Sequence, residues 1–274
     1  MSGPAEPAPE VGDGLGGGRP SVAELRAVSQ PESVVGRVSG EHWAGRLYQR
    51  KISIYITRLL VPTRVTADAV TWTMLVSGPL AALSLTVPHL WGAVVAFAVI
   101  QVQGTLDCVD GELARWRQQR GASGIYLDRI GHYVTDGCLA VAVGVHADGG
   151  LGSIGGWTSI GLAAGFVILL TKAETDLVHV ARVQSGKLPI TDTADVARPR
   201  EGLVRRLRRI AATVPFNRAL LALEMTVLAV AASAVDAARG GLQASRVLDG
   251  ALLAIALVVV AGHLLATLAS DRLR

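Results

Sequence analysis

Long apolar runs alternate with short charged stretches along most of the chain. Each run holds roughly 20 mostly apolar residues, which is the length that an α-helix needs to cross a bilayer. The pattern predicts an all-α, polytopic membrane protein with six transmembrane helices. The predicted spans are Ala67 to Val87, Leu90 to Leu106, Gly124 to His146, Trp157 to Val180, Phe216 to Ala238 and Val247 to Ala269.

The residues that precede the first apolar run have a different character. Residues 1–20 are rich in proline, glycine and alanine and predict a disordered tail. Residues 21–62 predict a juxtamembrane helical segment, whose opening sequence SVAE resembles a capping box. Between His42 and Leu60, apolar and basic residues are mixed as in an amphipathic helix at a membrane surface. We expect residues 63–274 to form one six-helix membrane domain.

The overall composition supports a membrane protein. Apolar residues make up 50% of the chain and charged residues only 18%, and the mean hydropathy is +0.42. The net charge is +4, but aromatic residues amount to 4%, which disfavours the basic, aromatic surface of a nucleic-acid-binding protein. Cys108 and Cys138 lie in or beside predicted spans without CxxC spacing, so they do not indicate a disulfide framework.

Basic residues are concentrated before the first span, between spans two and three, and between spans four and five. Because lysine and arginine gather in cytoplasmic loops, we expect both termini and the charged stretch after span two to face the cytoplasm. The protein is thus predicted to be a multi-pass protein of the cell membrane. The basic residues are Arg46, Arg50, Lys51, Arg58 and Arg64, then Arg115, Arg117 and Arg120, then Arg182, Lys187, Arg198, Arg200, Arg205, Arg206, Arg208 and Arg209.

The charged stretch LDCVDGELARWRQQRGASGIYLDRIGHYVTD connects the second and third predicted spans. Asp107 and Asp110 are three residues apart, which places both carboxylates on one face of a helix. Asp128 and His132 are four apart and share a face of the next helix. Two such helices can converge on a divalent cation, since Mg²⁺ prefers carboxylate oxygens and commonly shares its shell with substrate phosphates.

Small and basic residues accompany these acids. Gly111, Ala114 and Gly124 would let a bulky ligand or a partner helix approach closely, and Arg115 could bind a phosphate. The alternative is that the acids pair with nearby arginines in a structural network. Intramembrane acids generally mark function, and three acids at these spacings favour a binding site over such a network.

The same residues resemble the signature of the CDP-alcohol phosphotransferases, which reads D-x2-D-G-x2-A-R-x8-G-x3-D-x3-D. Seven of its eight fixed positions are matched with identical spacing by Asp107, Asp110, Gly111, Ala114, Arg115, Gly124 and Asp128. The six-span pattern and the sequence GRLYQRKISIYITRLL before the first span also resemble this family. The family's Pro-Asn-x-x-Thr element is altered, because Pro62 is followed by Thr63, although Thr66 is present.

The resemblance implies a metal-dependent transferase. A CDP-linked alcohol, usually CDP-diacylglycerol, would be the donor, an acceptor alcohol would attack its phosphorus, and CMP would leave. Asp107, Asp110 and Asp128 would bind Mg²⁺ or Mn²⁺ in a two-metal site. Substrate would be bound by Gly111, Ala114, Arg115, Gly124 and Thr66. The lipid bilayer would be a further partner, and the family commonly forms homodimers.

The departure from the signature is His132, which stands where the family has its last aspartate, the general base. Three hypotheses stay open. Histidine is the commonest general base, so the role can survive. It can also bind metal through a neutral nitrogen, or it can mark a catalytically altered or silent homologue that binds a nucleotide-lipid or a partner. The acceptor is also open, among glycerol phosphate, inositol phosphate, a sugar phosphate and another lipid.

Overall fold

The computed structural model describes residues 19–32, 43–119, 121–187 and 216–269, and within these ranges every regular element is a helix. A π-helical turn, Gly45–Gln49, precedes the second α-helix, and 3₁₀ turns lie at Leu151–Ser153 and Phe216–Leu220. In chain order the α-helices are α1 Val22–Ser29, α2 Arg50–Leu60, α3 Ala67–Leu85, α4 Leu90–Trp116, α5 Ala122–Asp148, α6 Gly156–Gln184, α7 Ala222–Arg239 and α8 Gln243–Leu268.

The six predicted spans each overlap one of the six longer helices, α3 to α8. The largest differences from the predicted boundaries are that α4 continues past Leu106 to Trp116 and that α7 begins at Ala222 after a 3₁₀ turn. Among the described residues, α4, α6 and α8 are long and apolar enough to cross a membrane. The all-α class is therefore confirmed within the described residues, and these three helices support the membrane character, while six spans stay a prediction.

The described residues divide into two compact units. The first lies within residues 1–72 and 104–126, and the second within residues 73–103 and 127–274. Each unit has its own packing and is described by itself below.

The first unit is built around an apolar core shared by α1, α2, the start of α3 and the end of α4. Leu25, Ile54, Val109 and Leu113 are completely buried in it. Helix α1 begins with the expected capping box at Ser21, whose hydroxyl accepts from the backbone amide three residues later while the Glu side chain there accepts from the Ser21 amide. This reciprocal pairing satisfies backbone donors that an isolated helix would leave open.

The second unit packs α5 against α6 at unusually short range. A Cβ built on Gly144 would lie 2.5 Å from the carbonyl oxygen of Trp157, and one on Gly161 would lie 2.8 Å from the carbonyl oxygen of Ala140. No side chain fits at either position without a shift of backbone. The two glycines therefore set the distance between these helices, as small residues do at helix interfaces in membranes.

Polar side chains inside the second unit are satisfied in specific ways. The buried Gln103 amide donates to the carbonyl oxygen of Met74 at 3.2 Å and to the hydroxyl of Thr135 at 2.8 Å. Asp236 accepts from the backbone amides of Ala244 and Ser245 and so caps the first turn of α8. Because a buried polar group without a partner is costly, such bonds select one arrangement of the helices that they join.

Candidate active site

The acids of the signature on α4 lie in the first unit. Helix α4 includes both Asp107 and Asp110 without a break, so the two residues occupy the same face one turn apart, as the spacing predicts. Asp107 is partly buried and Asp110 is buried. Thr71 of α3 donates its hydroxyl to Oδ2 of Asp110 at 2.7 Å. This bond fixes the orientation of the Asp110 carboxylate.

Sequence reasoning missed Glu112, which occupies a variable position of the signature. Its side chain is completely buried, and its two oxygens accept three hydrogen bonds. The Gln30 amide donates to Oε1 at 2.7 Å, the Ser53 hydroxyl to Oε1 at 2.5 Å and the Thr57 hydroxyl to Oε2 at 2.6 Å. A signal was present, because Ser53 and Thr57 are four apart and place two hydroxyls on one face of α2.

Arg115 is placed against helix α1. Its Nε donates to the carbonyl oxygen of Ser29, the last residue of α1. The rest of the guanidinium lies back along α4, since a Cβ built on Gly111 would lie 3.0 Å from Nη1 of Arg115. The space beside Gly111 is thus taken by the arginine of its own helix, and the predicted phosphate contact of Arg115 stays a prediction.

Arg117 follows Trp116 at the end of α4 and binds the backbone where α2 ends. Its guanidinium donates to the carbonyl oxygens of Leu60, Val61, Thr63 and Val65. The last carbonyls of a helix have no partner within the helix, and Arg117 supplies donors for them. Burial lowers the pKa of Arg117 from its usual value. The sequence indicates Arg117 only as one of the basic residues of a cytoplasmic loop, and it does not predict the bonds of Arg117 to these carbonyls.

The remaining substrate-binding candidates of the first unit lie near the start of α3 and α5. Thr66 is exposed, and its hydroxyl accepts from the amide of Ala69 in the first turn of α3. A Cβ built on Gly124 would lie 3.4 Å from Oδ1 of Asp68, which is an ordinary contact. Ala114 packs against the apolar core. None of these positions contradicts a role in substrate binding, and none tests it.

Asp128 and His132 lie on α5 in the second unit, one turn apart. Nε2 of His132 is 3.4 Å from Oδ1 of Asp128, which confirms the shared face that the spacing predicts. The side chain of His132 is 48% exposed and that of Asp128 is 43% exposed, so both are accessible to a ligand from solvent. An adjacent carboxylate orients an imidazole, and this arrangement suits either a base or a metal ligand.

One turn further, Asp136 is buried and joins three helices. Its Oδ2 lies 2.7 Å from Nζ of Lys172 on α6, and its Oδ1 accepts from the amide of Ala222 at the start of α7. Nearby, Asp176 of α6 pairs with Arg129 and accepts from the hydroxyl of Tyr133 at 2.6 Å. The polar end of α6 is therefore bound to the helix that carries Asp128.

Comparison with protein-family profiles places residues 64–269 in a family described as CDP-alcohol phosphatidyltransferase. A comparison with curated protein sequences gives no match. The matched range covers most of the chain and includes every position of the signature, from Asp107 to His132, as well as Thr66. The chain therefore belongs to the CDP-alcohol phosphatidyltransferase family.

Proposed function

We propose that this protein transfers a phosphatidyl or other phosphoalcohol group from a CDP-alcohol to an acceptor alcohol and releases CMP. Membership of the family implies phosphatidyl transfer, with a CDP-alcohol donor and an alcohol acceptor. The observation that carries the proposal is the signature, with seven of eight positions at identical spacing inside the matched range. CDP-diacylglycerol is the donor that we favour, and the reaction would serve phospholipid or related phosphodiester biosynthesis.

The carboxylates of Asp107, Asp110 and Asp128 are the proposed ligands of a divalent metal. Carboxylate oxygens are the donors that Mg²⁺ and Mn²⁺ prefer, so the chemistry of this set fits. Support from the geometry is that Asp107 and Asp110 share a face of α4 and that Thr71 holds the Asp110 carboxylate. When bound, a pair of such ions would neutralise charge on the diphosphate and on the leaving CMP.

The chain's own residues would orient the donor and take up a proton. The acceptor oxygen forms a bond to the phosphorus that bears the donor alcohol, while the bond from that phosphorus to CMP breaks. We propose that His132 accepts the proton of the acceptor hydroxyl and that Asp128, 3.4 Å away, orients the imidazole. Arg115 would bind the phosphates, and the other proposed substrate-binding residues are Gly111, Ala114, Gly124 and Thr66.

We further propose that the site faces the cytoplasm, as the basic loops predict, and that the polar end of α6 borders the acceptor. Lys172 and Asp176 are its candidates, since both contact the helix that carries Asp128. A homodimer in the bilayer is proposed by analogy with the family alone.

One observation favours a second function, namely the histidine at the position of the last aspartate. A silent homologue would bind a nucleotide-lipid or a partner without releasing CMP. The two functions are separated by incubating the purified protein in lipid nanodiscs with CDP-diacylglycerol, Mg²⁺ or Mn²⁺ and a panel of alcohols. The transferase predicts CMP release that depends on one acceptor and is abolished by EDTA. Absence of CMP with every acceptor, together with retained binding of CDP, would support the silent homologue.

A further inference from the structure

Helix α1 and the residues that flank it contact the rest of the first unit at the front, in the middle and at the end. At the front, Nε of Arg58 donates to the carbonyl oxygen of Pro20 at 2.7 Å. In the middle, Leu25 is completely buried in the core that α2 and α4 share. At the end, the side-chain amide of Gln30 donates to the carboxylate of Glu112 on α4. Contacts at both ends and in the middle specify one orientation of this short helix.

Glu112 explains why the packing of α1 and α2 on α4 is specific. A completely buried carboxylate is tolerated only where donors surround it. Its three donors are the neutral groups of Gln30, Ser53 and Thr57, which come from the end of α1 and from α2. Any sliding of either helix along α4 would leave the Glu112 carboxylate short of partners, so the cost of sliding is high.

The end of α1 determines where the guanidinium of Arg115 lies. Carbonyls in the last turn of a helix lack partners within the helix, and they carry partial negative charge. The carbonyl of Ser29 is one of these, and it receives Nε of Arg115. The two Nη groups are directed along α4 beside Gly111. Arg115 therefore adopts its position because α1 ends where it does.

We propose that α1, locked by Glu112, is a positioning element of the reaction, which holds Arg115 so that its Nη groups meet the diphosphate of the CDP-linked donor. This inference rests on the proposed function and extends it, because residues 21–30 lie outside the range matched by the family. Glu112 and α1 act through Arg115, and they do not themselves touch the substrate. The recognised ligand is a nucleoside diphosphate.

The test compares two substitutions on α1 that introduce the same charge. Leu25→Asp places a carboxylate in the apolar core and releases α1, whereas Ala27→Asp places it on the exposed face of the same helix. Each is made in the parent and in an Arg115→Ala background, which closes a double-mutant cycle. Equilibrium binding of CDP with Mg²⁺ and CMP release from CDP-diacylglycerol are measured, with KM determined separately for donor and acceptor.

The expected result is that Leu25→Asp raises the Kd of CDP and the KM of the donor about tenfold, the effect of losing a bond to a charged group. The KM of the acceptor and the properties of Ala27→Asp stay unchanged. In the Arg115→Ala background Leu25→Asp has no further effect. Gln30→Ala, which removes one donor to Glu112, gives a smaller shift in the same direction and decides the matter if Leu25→Asp does not fold.

Other outcomes overturn the inference. Additive effects of Leu25→Asp and Arg115→Ala would mean that α1 only supports the fold. Tighter binding of CDP by Leu25→Asp would mean that α1 withholds Arg115 from the donor. If the parent binds CDP with the expected pattern but releases no CMP, the proposed transfer fails while the positioning role stands. If the parent does not bind CDP, both fail.

Discussion

At the scale of single residues, the signature combines positions with different physical tasks. Asp110 is oriented by a threonine from another helix, Glu112 by three donors, and Arg115 by the end of α1. Gly111 leaves the space in which the Arg115 guanidinium lies. The signature has a glycine and, one turn later, an arginine, and the contact between Gly111 and Arg115 within α4 explains why the two occur together.

Replacing Gly111 with alanine should displace the guanidinium of Arg115 and leave the fold intact, because the added Cβ meets the flexible end of a side chain. We expect the donor kcat/KM of Gly111→Ala to fall about tenfold. The matched control is Gly250→Ala on α8, where a Cβ meets nothing within 4 Å. Similar activity in Gly111→Ala and Gly250→Ala would contradict the role of this space.

Asp249 on α8 should lower the stability of the folded protein. It is completely buried, and among the described residues neither of its carboxylate oxygens has a hydrogen-bond partner. Asp249→Leu is therefore expected to raise the free energy of unfolding by about 1–3 kcal/mol. Thermal unfolding in nanodiscs measures this. Asp236→Ala is the contrasting variant, because it removes the cap of α8 and should lower stability. A loss of stability in Asp249→Leu would contradict this expectation and show that the carboxylate contributes to the fold.

At the scale of helices, much could be predicted because apolar length and residue spacing are local properties. The long helices, the capping box of α1 and the shared faces of Asp107 with Asp110 and of Asp128 with His132 follow from periodicity. The apolar span was predicted to end at Leu106, whereas helix α4 continues through the charged residues to Trp116, so the charge marks the end of the apolar run and not the end of the helix. Polar side chains with buried partners from other helices keep such a segment helical.

The partners of Glu112, Arg115 and Arg117 could not be predicted for a related reason. They join residues that are 52 to 86 positions apart, as in the bonds from Thr57 to Glu112 and from Arg115 to Ser29. No spacing rule reaches across such distances. Only packing decides which helix end meets which arginine, so the roles of the two arginines had to come from the structure.

The crossing of α5 and α6 should be sensitive to the smallest addition of volume. In Gly161→Ala the new Cβ would come within 2.8 Å of the Ala140 carbonyl oxygen, so a backbone must move. We expect a loss of about 1–3 kcal/mol in the free energy of unfolding. Gly156→Ala, on the same helix but with open space around it, is the control and should be neutral. Equal stability of the two variants would show that the helices cross less tightly.

We expect the capping box to make the stability of α1 dependent on pH. The Glu24 carboxylate accepts hydrogen bonds from the backbone amide and from the hydroxyl of Ser21, and these bonds lower the pKa of Glu24 below its ordinary value of 4.5. A lowered pKa in the folded state means that the charged form contributes stability above the ordinary value and loses it as the pH falls through the folded-state pKa. We expect the parent to be more stable than Glu24→Gln at neutral pH.

This difference should shrink below pH 4.5. Thermal unfolding of the two proteins across the acidic range measures it. A difference that stays constant with pH would show that the carboxylate charge has no part in the cap.

At the scale of the whole molecule, the chain is a helical membrane protein of the CDP-alcohol phosphatidyltransferase family. Among the described residues, three helices have the length and composition of spans, and polar groups of α3 and α5 bind neighbouring helices. The signature begins in the last turns of α4, which is the first of these apolar helices, and continues on α5, which precedes the second. The proposed donor, which combines lipid chains with a charged head group, would need such a position.

The central claim is that His132 performs the task of the aspartate that the family has at its position. The most direct measurement is the rate of metal-dependent CMP release by the parent, His132→Asp and His132→Asn, with the exposed Tyr126→Ala on the same helix as control. The proposed function predicts activity in the parent, His132→Asp and Tyr126→Ala, and a loss of about 100-fold or more in His132→Asn. Equal rates in His132→Asn and the parent would contradict it.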